Sequence, residues 1–341
     1  RRAELLGYES HASFVLEERM AGSEENVNNF LEDLYQKALP AAKKEWEEVE
    51  NFAKENLNLD QIEKWDTAYV SEKLKQQQLD LNEQLLKPYF PLEKVKLGLF
   101  EIVGKLYGLS FKKNNDIEGY NEEVDIYEVF NSQGEYHALL YTDFFPREGK
   151  RNGAWMTSYR SQKKGQRPHI SIVCNFSKPT ATLPSLLTFQ EVSTLFHEFG
   201  HALHGILADT TYGALSGTNV HWDFVELPSQ IMENWCYEKE ALKLFAKHYK
   251  TNEIIPMRYV KKIKKVAHFQ QGLQTLRQLG FGFLDLSYHN KKATEIKDVK
   301  NHEKEILQRV QFLGDYPENC TSTAFSHIFQ GGYSAGYYSY K

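Results

Sequence analysis

At 341 residues the chain can bury a large core, as one big domain or two moderate ones, and 41% apolar with 26% charged residues is ordinary globular make-up. Forty-six acids against forty-one bases leave a net charge of −5, which excludes a general pull toward nucleic acid or anionic membrane. No apolar run reaches the ~18 residues of a spanning helix, and three distant cysteines, Cys174, Cys236 and Cys320, with no C-x-x-C pair, exclude a disulfide framework and favour a reducing, cytoplasmic setting.

Residues 1–115 read as a helical region rich in Glu, Lys, Leu and Ala. Helical apolar spacing runs from Asn26 to about Glu55, Asp60-x-x-Glu63 offers a capping box for another helix, and a third extends from Pro91 to Leu106, stopped by Gly108. Residues 116–180 form a small β-sheet region. Val124–Phe130 and His137–Phe145 flank the turn Asn131-Ser132-Gln133-Gly134 as a hairpin, and His169–Phe176 alternates as a third strand. That strand is expected to present an exposed edge to an extended peptide. Between the hairpin and this strand, Arg147 to Arg167 reads as a polar loop. Residues 181–341 return to helix, broken by glycine-rich stretches near 213–217 and 331–336. The expected fold is mainly α with one small sheet, the three regions together forming one catalytic domain.

Within the last region lies His197-Glu198-Phe199-Gly200-His201. Histidines four apart on a helix share a face, so both imidazoles can reach one ion. Thr188-x-x-Glu191 is a capping box, and Val192, Leu195, Phe196, Phe199, Ala202, Leu203 and Ile206 supply a buried stripe. Gly200 within a helix costs about 1 kcal/mol relative to Ala, which implies close approach by another segment. Catalytic zinc takes three protein ligands and keeps a position for water. Glu226 stands 25 residues after His201, beyond a chain reversal at Tyr212–Thr218; from residues alone it is either the third ligand or a helix-start carboxylate capping beside Asp223. His204 falls on nearly the same face as the two histidines, but a fourth ligand would close the water position, so it reads as a supporting residue. Asp223 and Glu233 are the candidates to accept the free N–H of a ligand histidine, with a surface role as the alternative for Glu233.

The segments HEFGHALHG, SGT, DFVELPSQ, MENW and HIFQGGYSAGYYSY, with Tyr141–Trp155 before them, resemble the thimet oligopeptidase family, nearest to its bacterial oligopeptidase A and dipeptidyl carboxypeptidase branches. The likeness covers at least residues 141–341. It implies a zincin-type core within an elongated helical peptidase, one Zn2+ held by His197, His201 and Glu226, and Glu198 as the general base. It further implies that His327, Tyr333 and Tyr340 bind substrate or stabilise the negative charge of the tetrahedral intermediate, and that Tyr337, Gly331 and Gly332 contact substrate on a mobile loop. Tyr338 reads instead as a core aromatic. Substrates would be short unstructured peptides reaching a deep channel, cut internally or as carboxy-terminal dipeptides; both branches fit. A monomer is favoured. Family members extend past Tyr340 and before Arg1, so the resemblance implies a chain truncated at both ends. The alternatives are a helical zinc carboxypeptidase of another family and a peptide-binding protein with an inactive zinc site.

Overall fold

The computed structural model describes residues 1–80, 83–314, 316, 318–330 and 332–341. Its main helices are α1 (Glu24–Leu57), α2 (Thr67–Leu79), α3 (Leu92–Tyr107), α4 (Phe189–Ile206), α5 (Leu227–Glu233), α6 (Gln271–His289) and α7 (Val299–Leu307). The strands are β1 (Ser110–Asn114), β2 (Asp125–Phe130), β3 (Tyr136–Asp143), β4 (Trp155–Arg160) and β5 (His169–Val173). Internal packing divides the chain into two units that interleave in sequence. One comprises Arg1–Asp80, His221–Phe224 and Lys265–Lys341, the other Leu81–Val220 and Val225–Lys264.

The first unit is helical. Ser23 caps α1 through its hydroxyl, which accepts from Asn26 N–H, and Asn58 ends it in the left-handed conformation. α1 lies against α6 so closely that a Cβ on Gly272 would sit 2.5 Å from Ala42 N. Glu45 of α1 then accepts the N–H groups of Gly272 and Leu273, at 3.1 and 2.8 Å, and so caps α6 from outside. Leu31, Leu276, Leu279, Leu284 and Ile328 form the core between these elements. The expected helix start at Asp60 is not where helix begins: α2 starts at Thr67, and Asp66 Oδ2 accepts from Glu63 N–H in the turn before it.

The second unit holds the sheet. Pro91 precedes α3 and Gly108 follows it at φ 69°, the expected asymmetry of helix ends. Strand order is β1-β2-β3-β5-β4, with β3 and β5 parallel and the other pairs antiparallel. Two strands escape the sequence reading: β1 lies at the end of the supposed helical region, and β4 in the supposed polar loop. β4 consequently corrects the expected edge. β5 is interior, paired on both sides, while β4 ends the sheet and among the described residues pairs with β5 alone. Helix α4 packs on β4 and β5, and Gly205 permits this, since its Cβ would lie 2.7 Å from Ile170 Cδ1.

The β3–β4 connection is held from inside. The buried Lys150 ammonium donates to Asp143 Oδ1 (2.8 Å), Phe145 O (2.7 Å) and Cys174 O (2.6 Å). Arg147 grips both oxygens of Asp143, and Tyr120 OH donates to Oδ2 at 2.9 Å. A buried cation with this many acceptors locks the loop onto the ends of β3 and β5.

Candidate metal centre

Helix α4 is anchored before its chemistry begins. Thr188 and Glu191 form the capping box, Glu191 N–H donating to Thr188 Oγ1 at 3.1 Å and Thr188 N–H to Glu191 Oε2 at 2.7 Å. Its apolar residues, including Phe196 and Phe199, are buried. His197 and His201 therefore project from a rigid rod on adjacent turns, ring centroids 5.0 Å apart.

Glu226 occupies the N-cap position of α5, yet its side chain makes no cap bond to the helix. Its Oε2 instead lies 3.2 Å from His197 Nε2 and 3.2 Å from His201 Nε2, and Ser229 Oγ donates to it at 3.1 Å. The ligand atoms of these three residues all lie within 4.8 Å of one another. Bonds of about 2.0–2.1 Å at tetrahedral angles place neighbouring donors about 3.3–3.4 Å apart, so the nitrogen–oxygen spacings match a zinc sphere. Two imidazoles and one carboxylate are also the donor chemistry zinc takes, with one position left for solvent. His204, half-buried on the following turn, is not part of the trio.

Gly200 explains how α5 comes this close. A Cβ there would lie 2.5 Å from Pro228 O and 2.5 Å from Ser229 Cα, so the backbone of α5 occupies the space a side chain would need.

The electrostatics follow from the carboxylates. Burial alone would lower the His197 pKa, but hydrogen bonds to Glu226 and Glu233 outweigh it and carry the group up to about 10. The field that attracts a proton to Nε2 attracts a divalent cation to the same atom, so the two compete. Glu233 Oε1 lies 2.7 Å from His197 Nδ1, which orients the ring with Nε2 toward Glu226. Glu198 is buried and its pKa is raised, burial outweighing the neighbouring imidazoles. Its Oε2 has no hydrogen-bond partner among the described residues, an arrangement that keeps a carboxylate available to accept a proton.

Asp223, the other expected histidine partner, belongs to the first unit. There its Oδ2 accepts from Tyr338 OH at 2.7 Å and from Ala21 N–H at 3.1 Å, while His201 Nδ1 in the second unit has no partner among the described residues. The first unit also gathers the expected loop residues into one aromatic cluster. Tyr340 lies 5.0 Å from Tyr333 and 4.9 Å from Tyr337 between ring centroids, and His327 lies 6.1 Å from Tyr337. Tyr338 is buried in the core. Gly332 is held against the indole of Trp222, whose ring fills the space an added Cβ would need; Gly331 lies outside the described residues. Ser229 and Trp222 were not anticipated. Ser229 had a local signal, standing three residues after Glu226 on the same helix start; Trp222 had none.

The whole chain, residues 1–341, matches peptidase family M3. It is 39% identical over 350 residues to oligopeptidase A of Escherichia coli (strain K12), an alignment spanning 99% of this chain and 51% of that protein. It is 39% identical over 357 residues to an organellar (chloroplastic/mitochondrial) oligopeptidase A of Arabidopsis thaliana, spanning 100% of this chain and 45% of that protein. Dipeptidyl carboxypeptidase of Escherichia coli (strain K12) is 35% identical over 345 residues, spanning 100% and 51% respectively. The chain spans about half the length of the curated relatives it matches. Among the described residues no helix is long and apolar enough to cross a membrane.

Proposed function

The chain belongs to peptidase family M3, and on that premise we propose that it hydrolyses peptide bonds in short peptides, with one zinc ion held by His197, His201 and Glu226. The observation that carries this reading is the convergence of those three ligand atoms within 4.8 Å of one another, one residue from the buried carboxylate of Glu198. Zinc, when bound there, would supply acidification of a water molecule and polarisation of the scissile carbonyl. Glu198 follows a ligand by one residue, so it stands beside the centre without belonging to it. Its carboxylate accepts the proton of the attacking water and returns it to the departing amine. Glu233 keeps His197 in the tautomer that offers Nε2.

His327, Tyr333 and Tyr340 are assigned, on the family resemblance, to stabilising the negative charge that develops on the former carbonyl oxygen, with Tyr337 and Gly332 as substrate contacts. The edge of β4 suits an extended peptide, which would add to the sheet through its main chain. A requirement for extended backbone, together with the channel implied by the family, restricts substrates to short unstructured peptides. The relatives include both an oligopeptidase A and a dipeptidyl carboxypeptidase, so cleavage position is a matter for product analysis.

The test is cleavage of a quenched fluorescent peptide with and without chelator, with metal content measured on the same protein. Glu198→Gln is expected to retain zinc while turnover falls about 10²–10⁴-fold. Chelator-insensitive cleavage, or near-normal turnover by the variant, rejects the reading, and bound zinc without cleavage of any peptide in a varied panel indicates a binding protein instead. Product masses from the panel separate internal cuts from dipeptide release.

A further inference from the structure

The carboxy-terminal loop carrying Tyr333, Tyr337 and Tyr340 is rich in glycine, yet one buried carboxylate holds it. Asp285 lies in α6, only 1% exposed, between Leu284 and Leu286 of the apolar core. A carboxylate at such a position is costly unless its oxygens are satisfied. Asp285 Oδ1 accepts the N–H of Ala335 at 2.8 Å and Oδ2 accepts the N–H of Tyr337 at 2.9 Å. His289, one turn along α6, places Nδ1 2.8 Å from the same Oδ1.

Ala335 makes the grip meaningful. It is buried and adopts φ +54°, the left-handed region that an alanine rarely enters unaided. The turn around it closes through Gly336 N–H to Tyr333 O at 2.9 Å. A strained turn persists only where surrounding contacts over-determine it. The hydrogen bonds that tie the turn to the helices and loops around it include the two amides on Asp285, His11 Nε2 against Ser334 Oγ at 3.0 Å, and Tyr338 OH on Asp223. Of these, only Asp285 binds main-chain groups on both sides of Gly336.

We infer that Asp285 is the latch that fixes the Tyr333–Tyr340 loop in a single conformation, and through it a positioning residue for the tyrosines. The second half of this inference rests on the hydrolytic reading given above; the first does not. Asp285→Asn removes one acceptor and turns an amide N–H₂ toward a main-chain N–H, so the turn loses a bond and gains a repulsion.

Amide hydrogen exchange reads the latch directly. In the wild type, the amides of Ala335 and Tyr337 should exchange as slowly as those in the middle of α6; exchange at the rate of an unstructured chain overturns the proposal, whether or not any variant folds. In Asp285→Asn, these two amides should exchange about tenfold or more faster, while α4 keeps its protection. Unchanged exchange at 335 and 337, or equal acceleration across α4, overturns it. His289→Ala keeps the carboxylate and both amide bonds, so protection at 335 and 337 should stay within about threefold of wild type; acceleration equal to that of Asp285→Asn transfers the latch to the imidazole and overturns the assignment. For the second half, kcat of Asp285→Asn on the fluorescent peptide should fall about tenfold or more at unchanged zinc content, with KM moving much less. Faster loop exchange with normal kcat leaves the latch standing and removes the tyrosines from the hydrolytic mechanism.

Discussion

Gly200→Ala tests whether the proposed metal centre depends on direct backbone contact between α4 and α5. The added Cβ would meet Pro228 O and Ser229 Cα at 2.5 Å and Pro228 C at 3.0 Å, all main-chain atoms with no rotamer to escape into. Ordinary contact begins near 3.4 Å, so the helices must part by about 0.9 Å. Overpacking of this kind costs about 1–3 kcal/mol, and the better helix propensity of alanine returns about 1 kcal/mol at most. A net loss of up to about 2 kcal/mol in stability follows. The greater effect is expected at the proposed ligands. His201 is the next residue along α4, and Glu226 precedes Pro228 by two positions, so the parting acts where Glu226 Oε2 and His201 Nε2 stand 3.2 Å apart. A displacement near 1 Å at a reacting centre costs about 100-fold. If zinc affinity falls by that factor, zinc supplies about 2.7 kcal/mol less stabilisation at equal concentration. Competition against a chromophoric chelator gives the affinity, and melting with and without zinc gives the linked stability. Gly205→Ala is the control: its Cβ meets the Ile170 side chain of β5 at 2.7 Å and no atom of α5, so any cost falls on stability while zinc affinity should hardly change. A Gly200→Ala protein that binds zinc within about twofold of wild type and melts no lower refutes the coupling.

Glu233→Ala leaves His197 Nδ1 without its acceptor and should weaken zinc binding about 10–100-fold, measured by the same competition. Lys150→Met strips the buried cation from Asp143, Phe145 O and Cys174 O and should cost about 3 kcal/mol in urea unfolding. The Asp143 carboxyl is pushed up by burial but held below its ordinary value overall by Arg147, Lys150 and Tyr120. A depressed folded value means that its contribution is present above the unfolded pKa and is lost as pH falls through the folded one. Stability should therefore decline below the ordinary carboxylate range, and that acid arm should flatten in Lys150→Met; an equally steep arm counts against this network as its source.

The parts of the centre that were legible in sequence are those in which cause and effect lie within a few residues. The capping box of Thr188 and Glu191, the buried stripe and the histidine pair are all written in one helix, and the structure reproduces each. Glu226 was ambiguous for a physical reason. A carboxylate at a helix start can cap or ligate, and only the direction of its side chain decides; here it turns from the helix toward two imidazoles. The capping box at Asp60 misled because its pattern is local while its outcome is not: the turn is completed by Asp66, and helix follows from Thr67.

Sheet order fails in the same way. β4 precedes β5 in the chain but lies outside it in space, and its half-exposed Trp155–Arg160 lacks the alternation that makes an interior strand readable. Asp285 shows the opposite lesson. It interrupts an apolar run in α6, and a charged residue at a core-facing helical position must be answered by donors from elsewhere. The sequence thus marked a place where another segment must arrive, without naming it. The donors proved to be main-chain amides of the Gly/Tyr loop, groups that every residue carries and no sequence pattern advertises. Buried carboxylates inside apolar stripes are for this reason better guides to how loops are held than the loop residues themselves.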